Sequence, residues 1–213
     1  SAAMLSEAAH SLADTVTEVF LYVALRRGTK EPDERHPFGY GKESFVWAFI
    51  AALFTFVGGA CFSIYHGVTT IINGEHSGQY LLTYVVLAVS FLAEGTSFLK
   101  AQRQVTGESR RWNVSRNRFL RLTPDTTVKA VYFEDSAALI GLVLAAAGIA
   151  LAQVTGSEVW DGIASIAIGL LLLVVATVLA RSNVSLLVGR AVPRRMHNQI
   201  ADDLAAIPVV TAV

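Results

Sequence analysis

A histidine and three carboxylic acids lie along one stripe of the first apolar segment of this sequence. They are Glu7, His10, Asp14 and Glu18. At about 100° per residue of α-helix, these positions fall within roughly 80° of one another. A His and an Asp four residues apart offer a nitrogen and an oxygen ligand on adjacent turns, which suits a divalent metal ion. The pattern predicts a metal site whose first ligands are His10 and Asp14, with Glu7 and Glu18 as weaker candidates.

The segments that must position these residues are long and apolar. The 213-residue chain is 53% hydrophobic and 16% charged, with a mean hydropathy of +0.49, which is too apolar for an ordinary soluble domain. Stretches long enough to cross about 30 Å of hydrocarbon are 2–25, 45–72, 80–99, 131–154 and 163–180. We therefore predict an all-α polytopic membrane bundle with about five spans. Because the sequence opens in helix-like residues without a signal peptide, we also expect at least one earlier span.

The distribution of charge predicts the orientation of these spans. All 17 Lys and Arg fall within 26–42, 100–129, 181–190 and 194–195, whereas 73–78 and 153–162 contain none and carry acids. Five alternating spans put every basic cluster on one face, which the positive-inside rule assigns to the cytoplasm. We expect the basic link 102–121 to be a non-periodic, solvated loop, with contact to anionic lipid headgroups as the alternative.

A second acidic pair lies at a matching depth in a later span. At a rise of ~1.5 Å per residue, Glu134 and Asp135 lie about 14–15 Å from the basic end of their helix. Asp14 lies about 18 Å from the same face by the same rise. Antiparallel packing of the two helices would gather one imidazole and up to three carboxylates near mid-bilayer. We expect His10, Asp14, Glu134 and Asp135 to bind Zn²⁺, with Mn²⁺ or Fe²⁺ as alternatives because carboxylate is a harder ligand.

The cost of placing acids in lipid suggests a mechanism. Each bare acid at this depth costs a few kcal/mol, which a bound cation or a proton offsets. Metal and protons then compete for the same groups, and His10 is the natural exchanger because imidazole titrates near neutrality. The alternative is that these polar residues are structural hydrogen-bond partners.

Other polar residues have simpler interpretations. Glu94 is isolated and is a weaker candidate for a proton relay, His66 is expected near the outer headgroups, and Cys61 is expected to be a packing residue. Thr123 is predicted to cap a helix that starts with Pro124 and Asp125, and Asp161 is predicted to cap the last span rather than to bind metal.

Three motifs, taken together, resemble the cation diffusion facilitator family of divalent-metal transporters. S-E-A-A-H-S-L-A-D (6–14) is similar to the family's second-helix metal motif, D-E-R-H-P-F-G-Y-G-K (33–42) is the sharpest match, and D-G-I-A-S (161–165) resembles the start of the sixth helix. The resemblance implies six transmembrane helices, a ferredoxin-like cytosolic domain, homodimers and metal export by proton antiport. Residues 1–190 would then be family helices two to six, and 191–213 the beginning of the cytosolic domain, as a helix followed by a strand.

The fifth helix departs from the family pattern. Members usually carry an H/D-x-x-x-D pair there, and family register puts Thr127 and Val131 at those positions. Glu134 and Asp135 fall about one turn deeper, which is similar to the branch of mitochondrial zinc exporters. Either the site has moved by a turn, or only one acid contributes, or transport has been lost.

These features together predict a divalent-cation efflux transporter, and the rival hypothesis is a non-transporting metal sensor or scaffold. An intramembrane zinc hydrolase is disfavoured because the sequence lacks H-E-x-x-H. The expected partners are the metal ion, protons, the bilayer and a second copy of the chain, and not nucleic acid. A bacterial inner membrane is the expected location, with an organelle membrane as the alternative.

Overall fold

The fold is a bundle of helices. The computed structural model describes residues 2–74, 80–189, 191 and 194–207, without the side chains of 2–11, 13, 14, 56, 57 and 194–196. In this part of the chain the elements are α1 (Ala2–Gly28), α2 (Gly41–Phe54), a π-helical segment (Thr55–Cys61), α3 (Phe62–Asn73), α4 (Tyr80–Arg111), α5 (Arg116–Leu122), α6 (Thr126–Thr155), α7 (Val159–Val188) and α8 (Arg194–Ala205). The predicted all-α class is confirmed, and the strand expected after Pro208 lies outside the described residues.

Four of the described helices are long and apolar enough to cross a membrane. They are Gly41–Asn73, in which α2, the π-helical segment and α3 run on as one helix, and then α4, α6 and α7. Large apolar side chains such as Val89, Val143 and Val174 are exposed on the outside of the bundle, as expected for contact with lipid. The chain is therefore a multi-pass integral membrane protein. Helix α1 is not among the four, so its role as a fifth span stays a prediction.

Small side chains allow the helices to pack closely. Helix α7 contacts α6, α3, α2 and the π-helical segment, while α1 runs along α2 and α4 runs along α6. The buried core between them consists largely of alanine: Ala48, Ala51, Ala52, Ala60, Ala130 and Ala137. Its larger residues are Leu21, Leu172, Val175 and Leu179. In lipid, where apolar burial gives little driving force, such close packing is a main source of helix association.

The expectation of a non-periodic loop at 102–121 is wrong. Helix α4 continues to Arg111, and α5 then forms a short helix. Ala101, Val105 and Ser109 recur every four residues on one buried face. Val105 packs against Phe119 and Leu120 of α5, so a helical stripe underlies the basic residues and keeps this segment folded.

The cap of α6 differs from the prediction by two residues. Asp125, rather than Thr123, is the N-cap, and its Oδ1 accepts a hydrogen bond from the backbone N–H of Val128 at 3.0 Å. The Thr123 hydroxyl instead accepts from the N–H of Asp125 at 3.2 Å. A carboxylate satisfies the first turn of a helix well, which explains why the helix begins after Asp125.

Both ends of the bundle can be defined by charge. The basic end carries Arg26, Lys100, Lys129 and Arg181, and the acidic end carries Glu158. Leu25, Lys100 and Asp125 line one cavity, which shows that α1, α4 and α6 bring their basic-end residues together.

A close helix crossing lies near the acidic end, between α3 and α7. A Cβ atom added at Gly67 would lie 2.6 Å from the carbonyl oxygen of Gly162, and one added at Gly162 would lie 2.7 Å from that of Gly67. Because real Cβ atoms do not approach backbone oxygens so closely, both positions require glycine.

We predict that Gly162→Ala separates α3 from α7 and destabilises the protein by about 1–3 kcal/mol. The measurement is the thermal unfolding midpoint of the full-length protein in detergent. Gly95→Ala is the matched control, because a Cβ at Gly95 meets nothing within 4 Å; it should leave the midpoint unchanged or raise it slightly. Equal midpoints for the two variants would contradict this account of the crossing.

Candidate metal-binding site

Glu134 and Asp135 lie in the third turn of α6, well inside the bundle. As neighbours on a helix they point about 100° apart, so they face different elements. Each acid can therefore be assigned its own surroundings.

Glu134 faces α1 and the π-helical segment. The hydroxyl of Thr55 lies 3.2 Å from Glu134 Oε1 and 3.0 Å from the hydroxyl of Thr17. Its single proton can go either to this carboxylate or to the carbonyl of Ala51, which is also 3.2 Å away. Thr17 and Thr55 are both buried, so two hydroxyls connect α1 to the carboxylate of α6. Thr55 is also the first residue of the π-helical segment, an irregularity often found at functional sites.

Asp135 faces α4. Its side chain is only 9% exposed, and the hydroxyl of Ser97 is its hydrogen-bond partner. Glu18 of α1 is close enough to act on it electrostatically. Among the described residues, no hydrogen-bond partner reaches the buried oxygen Oδ2 of Asp135. A buried carboxylate oxygen without a partner is costly, and such a group is expected to hold a proton or a cation.

A cavity of about 330 Å³ lies between α1, α4 and α6, from the basic end to Ser97. Its lining is a mixture of polar and apolar residues: Leu25, Ser97, Lys100, Ala101, Gln104, Asp125, Thr127, Val128 and Val131. Thr127 and Val131, which stand where the family usually has ligands, therefore line the approach to the acidic pair. The cavity thus reaches Ser97, the residue whose hydroxyl is the hydrogen-bond partner of Asp135.

His10 and Asp14 belong to α1, but their side chains lie outside the described residues. By helical spacing, position 14 lies one turn from Thr17 and positions 10 and 17 are seven residues apart, so all three share a face of α1. Within the described side chains, no three of His, Cys, Asp or Glu form a group that could hold a metal ion. The predicted four-residue ligand set thus stays a prediction.

One other acidic-end expectation is wrong. Asp161 is not the cap of α7, because Glu158 occupies the N-cap position and Asp161 lies in the first turn, 3% exposed. His66 is buried on α3, where its Nδ1 lies 3.2 Å from the Thr70 hydroxyl, and its depth near the outer headgroups stays a prediction. His66 and Asp161 precede the two crossing glycines and interact electrostatically.

The remaining candidates fall into three groups. Glu18 is exposed and Glu94 is partly buried, so neither is excluded from a role near the acidic pair. Cys61 is exposed, which contradicts its expected packing role. The side chain of Glu7 lies outside the described residues.

Comparison with known proteins supplies the family. The model of the cation efflux transmembrane domain matches residues 1–188. The chain belongs to this family of cation efflux transporters, also called cation diffusion facilitators. The matched domain is thus the transmembrane domain of a transporter family and not an enzyme domain.

Individual relatives show the extent of the similarity. The chain is 32% identical over 213 residues to the mitochondrial proton-coupled zinc antiporter SLC30A9 of Xenopus laevis and 30% identical to that of Homo sapiens. It is 36% identical over 188 residues to metal tolerance protein C4 of Arabidopsis thaliana. These matches cover 100%, 100% and 88% of the chain but only 38%, 38% and 41% of the relatives. The chain thus spans less than half the length of the curated relatives it matches.

The family-like motif at 33–42 forms a compact turn organised by Asp33. Backbone N–H groups of Arg35 and His36 donate to Asp33 Oδ1 at 3.0 and 2.8 Å, and the Tyr40 hydroxyl donates to Oδ2 at 2.6 Å. Lys30 lies 3.6 Å from the same carboxylate and over the Tyr40 ring, 4.1 Å from its centroid. The Tyr40 hydrogen bond is the main reason that the pKa of Asp33 falls from 3.8 to about 2. The motif therefore has a structural explanation, a rigid link between α1 and α2.

We predict that Tyr40→Phe raises the pKa of Asp33 from about 2 towards its usual value of 3.8, because the main hydrogen bond to the carboxylate is lost. Since the pKa is depressed by folding, the stabilising effect is complete above pH 3.8 and disappears as the pH falls to about 2. The measurement is a pH titration of ¹³C-carboxyl-labelled aspartates by NMR, with Asp33→Asn to assign the signal. Tyr65→Phe, at an exposed tyrosine of α3, should not move it; an unchanged pKa in Tyr40→Phe would contradict the assignment.

Proposed function

We propose that this chain forms the translocating part of a zinc efflux transporter that exchanges metal for protons. The observation that carries the proposal is the buried oxygen of Asp135, which has no hydrogen-bond partner among the described residues. This oxygen belongs to a carboxylate whose neighbour, Ser97, lines a cavity running from the basic end. A buried carboxylate with one oxygen lacking a hydrogen-bond partner, near a cavity open to one end of the bundle, is expected of the binding site of a transported cation.

In this proposal a zinc ion enters by the cavity and is held by His10 and Asp14 of α1 together with Glu134 and Asp135 of α6. Glu134 already contacts α1 through the hydroxyls of Thr55 and Thr17, which supports a shared site between the two helices. One imidazole and several carboxylates suit Zn²⁺ in tetrahedral geometry. The names of the Xenopus and human relatives, which are zinc antiporters, favour zinc over Mn²⁺ or Fe²⁺.

Protons would complete the cycle. When the metal leaves towards the acidic end, protonation of the imidazole and the carboxylates removes the cost of bare charges in the membrane. Rocking of helices around a site near the midplane would expose it alternately to the two sides. The same relatives are named proton-coupled antiporters, which supports this coupling.

Several further features belong to the same proposal. The basic end faces the compartment that metal leaves, by the positive-inside rule, and the working form is a homodimer with a cytosolic domain that begins at about residue 191. The bacterial inner membrane stays our expected location, and the mitochondrial relatives make an organelle membrane the alternative.

We predict that His10→Ala and Asp14→Asn each lower proton-driven zinc flux at least tenfold in full-length protein reconstituted into proteoliposomes. The assay imposes a pH gradient and follows a zinc-sensitive dye. Tyr22→Phe is the matched control, since Tyr22 lies about two turns along the same helix with an exposed side chain, and it should keep more than half of the flux. Zinc flux that survives in the His10→Ala, Asp14→Asn double variant would refute the assigned site.

Two further variants separate the two acids of α6. If both acids bind the ion, Glu134→Gln and Asp135→Asn each reduce zinc affinity, measured by calorimetry, and zinc flux, measured in the same proteoliposomes. Loss in only one variant would identify that acid as the ligand, and unchanged affinity in both would remove α6 from the site. A protein that binds zinc but shows no flux in any gradient would instead be a sensor or a scaffold.

A further inference from the structure

A groove of about 620 Å³ lies at the basic end of the bundle, where α5, α6 and α7 meet. Three cationic side chains line it: Arg121 of α5, Lys129 of α6 and Arg181 of α7. Among the described residues that line the groove there is no Asp or Glu. The groove therefore collects positive charge from three separate helices.

Neutral polar groups complete this part of the groove. Lys129 is only 5% exposed, and its ammonium donates a hydrogen bond to the hydroxyl of Ser182 at 2.8 Å. Ser185, one turn further along α7, also lines the groove. Ammonium, guanidinium and hydroxyl groups around one space are the usual donors to a phosphate.

The other side of the groove is apolar. Leu120, Tyr132, Phe133 and Val178 line it, and they lie on α5, α6 and α7. Tyr132, Phe133 and Val178 belong to the parts of α6 and α7 that cross the membrane, and Val178 is 42% exposed on the outside of the bundle. The lining thus changes from cationic at the end of the bundle to apolar on the side that lipid covers.

We propose that this groove binds an anionic phospholipid, with the headgroup phosphate at Arg121, Lys129 and Arg181 and an acyl chain along Tyr132, Phe133 and Val178. A soluble phosphate would use the cations alone and would leave the apolar half without a partner, which is why the geometry favours a lipid. Bound lipid would join α5 to α6 and α7. The proposal goes beyond the transport function and does not depend on it.

The test compares lipids with equal chains and different headgroups. Full-length protein in detergent is given dioleoylphosphatidylglycerol or dioleoylphosphatidylcholine, and the thermal unfolding midpoint is measured. We expect phosphatidylglycerol to raise the midpoint several degrees more than phosphatidylcholine. Arg121→Gln combined with Arg181→Gln should remove at least half of that difference, and the corresponding double Arg→Lys variant should keep most of it.

The matched control is Arg103→Gln combined with Arg110→Gln, two exposed arginines of α4 that do not line the groove. It should keep the full difference between lipids. Soluble glycerol 1-phosphate should give no shift. An equal effect of soluble phosphate, or an equal loss in the control variant, would overturn the proposal.

A second measurement does not require the variants to fold. Wild-type protein is repurified from an equimolar mixture of the two lipids, and the bound lipid is extracted and measured by mass spectrometry. At least a threefold enrichment of phosphatidylglycerol is expected, and no enrichment would overturn the proposal.

Discussion

The structure is organised around two adjacent carboxylates on an apolar helix, of which Glu134 is half-buried and Asp135 is buried. Glu134 and Asp135 lie in the third turn of α6, in a segment long and apolar enough to cross a membrane. The hydroxyl of Thr55, itself in contact with that of Thr17, donates to Glu134, and the hydroxyl of Ser97 is the partner of Asp135. One oxygen of Asp135 remains without a partner among the described residues. A group left in this state needs a proton or a cation, and this need connects the fold to transport.

Close packing elsewhere makes that site possible. The glycine crossing of α3 and α7 and the small residues between α6 and α7 let these helices pack closely. The α1–α6 contact is different, because hydroxyl groups mediate it through the first residue of a π-helical segment. Hydroxyl contacts can be exchanged at lower cost than interlocked glycines, so we expect the helices of the site to move while the α3–α7 pair stays fixed.

Much of this architecture could be predicted from the sequence, and the errors have physical causes. Apolar length identified the membrane helices, but it underestimated α4, whose last turns are held by the buried stripe of Val105 and Ser109 rather than by hydrophobicity alone. The N-caps of α6 and α7 were assigned to the wrong residues, Thr123 and Asp161 instead of Asp125 and Glu158. In each case several neighbouring polar residues could cap the helix. The partition of Glu134 and Asp135 between different neighbours could not be predicted, because it depends on which helices pack on each side of α6.

The central claim is that α1 and α6 share one ion. X-ray anomalous scattering at the zinc edge, on crystals of the full-length protein soaked with Zn²⁺, tests it most directly. The account predicts a peak within about 2.0–2.2 Å of a His10 nitrogen and of carboxylate oxygens from Asp14 and from Glu134 or Asp135. A zinc peak bound elsewhere, for example between His66 and Asp161, with none beside Glu134 or Asp135, would contradict it.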